Sequence, residues 1–429
     1  MSRARILGIA VFCIALTLLP GRLAQAQQNH CADLDQSATI YMAGTTAVIP
    51  VIRLFGARLK QVKVNLLWNE NSEGCSALAN FVTDVYQSVD VYSQYDELPD
   101  QPGKIYPPTQ CTATKGQAVD LVINDVAYQS CPLVYSGAGG LPASLPSGIA
   151  EFQGPVQGLV PIVGSSYTYY NDVMAEELQH LYTCGGDGAV MTFTKSSQIF
   201  DYNALGSGMR ELFARGIGYG NAAPLSTLVG LGGSNNVTAE TMARDWVGGT
   251  TDPDHTIGYT STEYYDLYRN LVRGMKVKGL NQNLAYWPDS SMTSTDKINI
   301  REGRYTIQGP LRLYARVDPA TGVPTKPLVK KIVDWFVGNP VDPSAALPFE
   351  ILDVFAHGGV VPQCAMKVTK DNATDLPSFK HYQPAEPCGC KYEMLATGKT
   401  SIPGCFACTD LLTCCPGQLC SHGFCEPAN

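Results

Sequence analysis

"SATIYMAGTTAVIPVIRLFGARLKQ" (residues 37–61) decides the fold class. The first eight residues read as a short apolar strand that stops at Gly44. Beyond that glycine, Val48, Val51, Ile52, Phe55 and Leu59 stand at helical spacing, so one face of a helix is apolar. A strand running through a glycine turn into an amphipathic helix is the unit from which α/β sheets are built. The same alternation continues outward. "VKVNLLWN" (62–69) reads as a strand, "SALANFVTDVY" (76–86) as a helix and "AVDLVIND" (118–125) as a strand. The order β-α-β-α-β indicates an α/β fold with a largely parallel sheet.

Two long apolar strands are expected, "GPVQGLVPIVGSS" (154–166) and "RYTIQGPLRLYARVD" (304–318). Between them lies a second α/β stretch with "NDVMAEELQHLY", "GMRELFARGIG", "TAETMARDW" and "HTIGYTSTEYYD". This predicts two lobes with the chain crossing between them twice. The first lobe is expected to hold 36–155 and 305–365, the second 156–304. In such sheets ligands bind beyond the carboxyl ends of strands, where loops meet helix N-termini. The body closes with "TKPLVKKIVDWFVG" (325–338), a helix whose apolar face is Leu328, Ile332 and Trp335 or Phe336.

Outside this body the chain changes character. Residues 1–26 carry Arg3 and Arg5, then "ILGIAVFCIALTLL", then "AQA" at 24–26. That is the layout of a cleavable secretory signal, with an apolar run too short to span a bilayer comfortably. The mature chain is expected to be periplasmic or secreted and free of membrane insertion. The full chain of 429 residues has 30 basic and 38 acidic side chains, a net charge of −8. Loss of Arg3, Arg5 and Arg22 leaves 27 against 38, or −11. Such a surface disfavours nucleic acid as a partner. It leaves room for a small anion held by N–H dipoles.

Of 15 cysteines, Cys13 lies in the signal, leaving fourteen, an even number that indicates disulfides in an exported protein. Six are spread over the body. Cys111 and Cys131 bracket the strand that ends at Asp125 and suggest a local staple; Cys75–Cys184 and Cys31–Cys364 are further pairings to test, among fifteen that six cysteines allow. Eight more crowd residues 388–429, beyond a polar, proline-containing linker at 371–387. That tail is too short to build a core unaided and is expected to be a disulfide-stapled module. Zinc is the rival for Cys388, Cys390, Cys405 and Cys408, but the oxidising compartment and the adjacent pair Cys414-Cys415 favour disulfides.

Three places carry candidate chemistry. Gly44-Thr45-Thr46 opens a helix, where N–H groups and two hydroxyls meet about half a positive charge; an ordinary N-cap is the plainer reading. Asp125 follows an apolar strand. A carboxylate in an oxyanion site makes sense only if the ligand carries a proton, because monohydrogen phosphate can donate to it and sulfate cannot. Gly206-Ser207-Gly208 opens another helix, although such turns are common. No His-Glu-x-x-His, Gly-x-Ser-x-Gly or Gly-x4-Gly-Lys-[Ser/Thr] motif is present, so no enzyme activity is expected, and no metal or cofactor.

Taken in order, "IYMAGTTAVIPVI", "VDLVINDVAYQSC", "GPVQGLVPIVGSS", "NALGSGMRELFARGIG", "HTIGYTSTEYY" and "YWPDSSMTSTDKINIREGRYTIQGPLRLYARVD" resemble the phosphate-type periplasmic substrate-binding proteins of ABC transporters. The resemblance covers roughly 36–365. It implies a two-lobed type II binding-protein fold, a monomer, phosphate or a related oxyanion in the cleft, and an ABC transporter permease as partner. By position it implies Thr45 and Thr46 as helix-end donors, Asp125 as the proton-sensing acceptor, and Ser207 and Gly208 as donors from the second lobe. Two departures stand out. The family's Arg-x-x-x-Ser-Gly-Thr has Asn203 at the arginine and Met209 at the threonine. Gly74 stands near an expected serine, with Ser76 and Ser72 as substitutes. Arg210 and Arg215 are the candidates to replace the missing guanidinium. The alternative is a secreted interaction protein on the same fold that has lost its small ligand.

Overall fold

The computed structural model describes residues 29–69, 72–84, 90–96, 107–131, 142–184, 199–201, 207–219, 238–339, 347–370, 378–410 and 414–427. The signal-like segment 1–26 and Asn203 lie outside these residues.

The opening motif forms as its pattern requires. β1 (Asn29–His30) is followed by β2 (Thr39–Gly44), fully buried, and, after one tight turn at Thr46–Val48, by α1 (Ile49–Gln61). Pro50 sits in the first turn of α1, where its missing N–H costs nothing. Val51, Ile52, Phe55 and Leu59 are buried as the helical spacing predicts. Phe55 packs edge-on against Trp335, Phe336 and Phe349 at 5.2–6.2 Å between ring centroids. Gly44 ends β2 with φ +146°, and a Cβ there would overlap the Ile123 carbonyl. Only glycine fits where β2 passes this close to its neighbour.

The next elements are β3 (Asn65–Asn69), α2 (Gly74–Thr83), β4 (Val91–Gln94), β5 (Thr109–Thr112), β6 (Leu121–Asn124) and the long β7 (Ile149–Gly164). Then come β8 (Asp172–Met174), α3 (Ala175–Cys184), α4 (Gly208–Gly216), α5 (Ala239–Thr241), β9 (Ile257–Ser261), α6 (Thr262–Tyr268), β10 (Val272–Gly274) and β11 (Lys276–Lys278). α7 (Ile298–Arg301), β12 (Gln308–Arg316), α8 (Pro327–Val337) and α9 (Ile351–Gly358) complete the body. "TAETMARDW", expected as one α-helix, is the single turn α5 continued by a π-helix over Met242–Val247.

The sheet runs β1-β5-β4-β3-β2-β6-β12-β7-β10, with β9 also on β7. Its centre, β3-β2-β6, is parallel, whereas β4, β12, β9 and β10 pair antiparallel with their neighbours. The sheet is therefore mixed, not largely parallel. The strand β7 explains the two-lobed plan. Its first half pairs with β12 beside the β2-β6 half, and its second half pairs with β9 and β10. One strand thus belongs to both lobes of this α/β arrangement and joins them. No described helix is long and apolar enough to cross a membrane.

The disulfides correct the sequence expectation. Cys31 bonds Cys111, Cys75 bonds Cys131, and Cys364 bonds Cys388. The staple between Cys111 and Cys131 and the pairings Cys75–Cys184 and Cys31–Cys364 do not occur. Cys111 faces back along β5 toward β1, while Cys131 lies under the first turn of α2, so spacing along the chain misleads here.

The tail is less independent than its composition suggests. Residues 379–381, expected in a linker, form β14 (Phe379–His381) and pair with β13 (Val368–Lys370). Beyond them α10 (Gly389–Thr397), β15 (Gln418–Ser421) and β16 (Phe424–Pro427) are held by Cys390–Cys405, Cys408–Cys420 and Cys414–Cys425, while Cys415 is a free exposed thiol. Besides Cys364–Cys388, the tail is fixed to the body by Arg301–Glu393 (2.9 Å), a hydrogen bond from Thr295 Oγ1 to the Ala396 carbonyl (2.5 Å), and Lys391–Glu350 (3.1 Å).

Candidate functional site

The place where the two lobes meet lies at the end of β6. Asn124 and Asp125 are both fully buried there. The helix N-termini of α2 and α4 converge on them. Gly74, the first residue of α2, packs its Cα against Asn124 Oδ1, and a Cβ on Gly74 would also come within 3.3 Å of the Gly208 N. Gly208 opens α4 from the second lobe. A Cβ on it would stand 2.5 Å from Asn124 Oδ1 and 2.8 Å from Asp125 Oδ2. Helix N-termini present unpaired N–H groups and positive potential, so this convergence suits negative charge.

Asn124 organises the junction from beneath. Its Nδ2 donates to the sulfurs of Cys131 (3.1 Å) and Cys75 (3.5 Å), and its Oδ1 accepts from the Asp125 N–H (2.9 Å). Asp125 Oδ1 accepts from Gln157 Nε2 at 2.6 Å. Its Oδ2 makes no hydrogen bond of normal geometry, although the Thr45 hydroxyl is near enough to favour the ionised form. Burial outweighs these partners and pushes the Asp125 carboxyl up to about 6. The group therefore changes charge close to neutral pH.

The other expected site residues sit at turns and helix starts. Thr45 is buried and caps the turn at Thr46–Val48, its hydroxyl accepting from the Ala47 N–H at 3.3 Å; its own N–H donates to the Ile123 carbonyl at 2.8 Å. Thr46 is half-buried at the start of that turn. Ser207 caps α4, its hydroxyl accepting from the Arg210 N–H at 3.3 Å. Ser76 is half-buried in the first turn of α2. Ser72 instead braces the turn after β2: its hydroxyl accepts from the Gly44 N–H at 2.9 Å and lies 3.1 Å from the Gly44 carbonyl.

Neither candidate arginine is directed at Asp125. Arg210 is engaged by Asp201 at 3.1 Å, and Arg215 by Glu211 on the same helix. Met209 is buried beside them. A bond between the lobes comes from elsewhere: Arg53 on α1 reaches Glu240 at 3.8 Å.

Sequence reasoning missed Gln157 and Glu263. Gln157 sits within an apolar strand where the sequence pattern offers no chemistry. Glu263 lies in the first turn of α6, where a glutamate reads as an ordinary helix-start residue. It is instead 1% exposed, and burial pushes its carboxyl well above the usual range, with the Asp125 charge adding to the effect. A buried glutamine at the midpoint of a lobe-spanning strand leaves no signal in one sequence.

The close fit at Gly208 gives a test. Asn124 and Asp125 are pinned from below, so Gly208→Ala is expected to part the lobes. Small-angle scattering should report a larger radius of gyration and thermal melting a lower midpoint. An unchanged radius would mean that the side chains, not the lobes, yield.

No family model matches the chain, and no curated protein matches it. Solved structures do. One is a putative phosphate ABC transporter substrate-binding protein with bound phosphate from Clostridium perfringens, 14% identical, covering 76% of this chain and 99% of that one with a TM-score of 0.43. Another is an ABC-type phosphate transport receptor from Vibrio cholerae, at 13%, 76%, 99% and 0.42. A third is a high affinity periplasmic phosphate-binding protein bound with phosphate, at 13%, 76%, 90% and 0.45.

Proposed function

We propose that the chain is an exported solute-binding protein that holds phosphate, or a related oxyanion bearing a proton, between its lobes. The observation that carries this reading is the meeting of two helix N-termini at a fully buried carboxylate with one oxygen left without a hydrogen bond. The N-termini attract an anion, and the carboxylate repels any anion that cannot donate a proton to it. The donors are the N–H groups of Thr46 and Gly208 and the hydroxyls of Thr45 and Ser207, with Ser76 at the edge and Asp125 as acceptor. Closure of the lobes would be favoured by ligand contacts made only in the closed state. Delivery to an ABC transporter permease is the role that fits such a receptor.

A second reading has its own support. Arg210 is committed to Asp201, Met209 is buried beside it, and Gly208 already touches Asp125, as in a protein whose cleft has closed for good. Such a protein would act through its surface or its cysteine-rich tail.

Calorimetric titration of the mature, oxidised protein separates the two. Heat on adding phosphate, with none from sulfate, is the expected result. Silence with both anions across several temperatures, in a protein that melts cooperatively, would leave the interaction protein as the reading.

A further inference from the structure

We propose that the Glu263 carboxyl group is a further ligand-binding group of this site, donating its O–H to an unprotonated oxygen of the oxyanion held beside Asp125. The inference rests on the oxyanion reading above and adds a donor that the sequence did not suggest.

Four buried polar atoms from different elements stand without a hydrogen bond of normal geometry: Asp125 Oδ2, Gln157 Oε1, Ser261 Oγ and Glu263 Oε1. All four residues are at most 1% exposed. Their occurrence together is unusual, because buried polar atoms in folded proteins are nearly always paired. Hydrogen bonds from two adjacent residues of β7 lead toward Asp125 on one side and Glu263 on the other. Gln157 Nε2 donates to Asp125 Oδ1 at 2.6 Å. The next residue, Gly158, donates its N–H to Thr262 Oγ1 at 3.2 Å, and Thr262 Oγ1 donates to Glu263 Oε2 at 3.1 Å. Glu263 Oε2 is thus satisfied from within the protein, whereas Oε1 makes no hydrogen bond of normal geometry, although the Ser261 hydroxyl and the Glu263 N–H lie near the carboxyl group.

The charges packed around Glu263 are already matched to one another. From α1, Arg53 goes to Glu240, which Arg244 in the π-helix also binds. On α6 itself, Asp266 is shared between Arg269 and Lys297, and both of these also reach Asp289. From α9, whose end packs Gly359 against the Glu263 backbone, His357 pairs with Asp353 and Asp353 with Arg58. On β10, Arg273 donates to the Tyr170 carbonyl. Asp125 remains, and it is negative when ionised. An ionised Glu263 here would be a second uncompensated buried charge, which is costly; the neutral acid is not.

A neutral acid offers one O–H donor. The site then has complementary halves. Asp125 accepts the proton of the ligand, and Glu263 gives one to an ionised ligand oxygen. The chemical class selected is a tetrahedral oxyanion with at least one hydroxyl and at least one bare oxygen, such as monohydrogen phosphate or arsenate. No guanidinium is required for this arrangement.

The experiment compares phosphate affinity from pH 6 to pH 9.5 in the wild type, Glu263→Gln, Glu263→Ala and His357→Gln. Glutamine keeps a donor but cannot ionise. Glu263→Gln should bind phosphate within about threefold of wild type at pH 7 and lose the alkaline weakening that wild type shows. Glu263→Ala should weaken binding roughly ten- to a hundred-fold at pH 7, the range for a hydrogen bond to a charged group. His357→Gln removes the α9 imidazole, whose hydrogen bond to Asp353 raises its pKa, and should retain the alkaline weakening. Wild-type affinity in Glu263→Ala, or the same alkaline profile in Glu263→Gln, overturns the role of Glu263 while leaving the oxyanion reading intact. Absence of phosphate binding by the wild type removes both.

Discussion

Asp125→Asn is expected to stabilise the unliganded protein by about 3 kcal/mol at pH 8 and to change it little near pH 3. The sign follows from the direction of the shift. The Asp125 carboxyl sits at about 6 in the folded chain against 3.8 in the reference state. Below the lower value both states are protonated and the group contributes nothing. Between the two values the unfolded chain has lost its proton while the folded chain keeps it, so stability falls as pH rises. Above about 6 the full penalty is present, a gap of roughly two units at about 1.4 kcal/mol each. Asparagine removes the charge and still accepts from Gln157. Chemical denaturation at pH 3, 5 and 8 measures the profile, and equal stability of the two proteins at pH 8 would refute the burial argument. The same variant should lose its preference for phosphate over sulfate, because Nδ2 donates where Oδ2 accepted. Greater stability combined with poorer discrimination is the mark of a buried group kept for binding.

Removing the Cys75–Cys131 disulfide is expected to have an effect of similar size and opposite sign. The bond closes a sequence separation of 56 residues, for which the loss of loop-closure restraint is worth about 4 kcal/mol. A second loss is local. Asn124 Nδ2 donates to both sulfurs, and Asn124 Oδ1 is the atom on which Gly74 and Gly208 pack. The double variant Cys75→Ala/Cys131→Ala should therefore unfold at lower urea and also bind phosphate less tightly. Stability within about 1 kcal/mol of the wild type would show that the unfolded chain is already restrained there. Peptide mapping under non-reducing conditions gives an independent check on the pairing.

The candidate site was legible in the sequence to the extent that it is made of turns. Thr45, Thr46, Ser207 and Gly208 sit at strand-to-helix and loop-to-helix junctions, and Asp125 just past a strand; such positions announce themselves through glycine, small hydroxyl residues and a change of period. Arg210 shows the limit. Its place on α4, one residue past Met209, leaves its direction open, and Asp201, outside that helix, engages it. Gln157 and Glu263 show the same limit from the other side, since their isolation from water is produced by elements that arrive from elsewhere in the chain.

The sequence by itself determined the alternation of strands and helices, the turn at Gly44 and the long apolar strand β7 that joins the two halves of the sheet. These arise from local periodicity and backbone freedom, which act over a few residues. Only the tertiary structure decided the antiparallel neighbours of the sheet, the partners of Cys31, Cys75 and Cys364, and the docking of the tail on the body. It also decided which carboxylates lose their water. Those outcomes depend on which distant segments pack together, and burial and charge balance are properties of the packed assembly rather than of any stretch of chain.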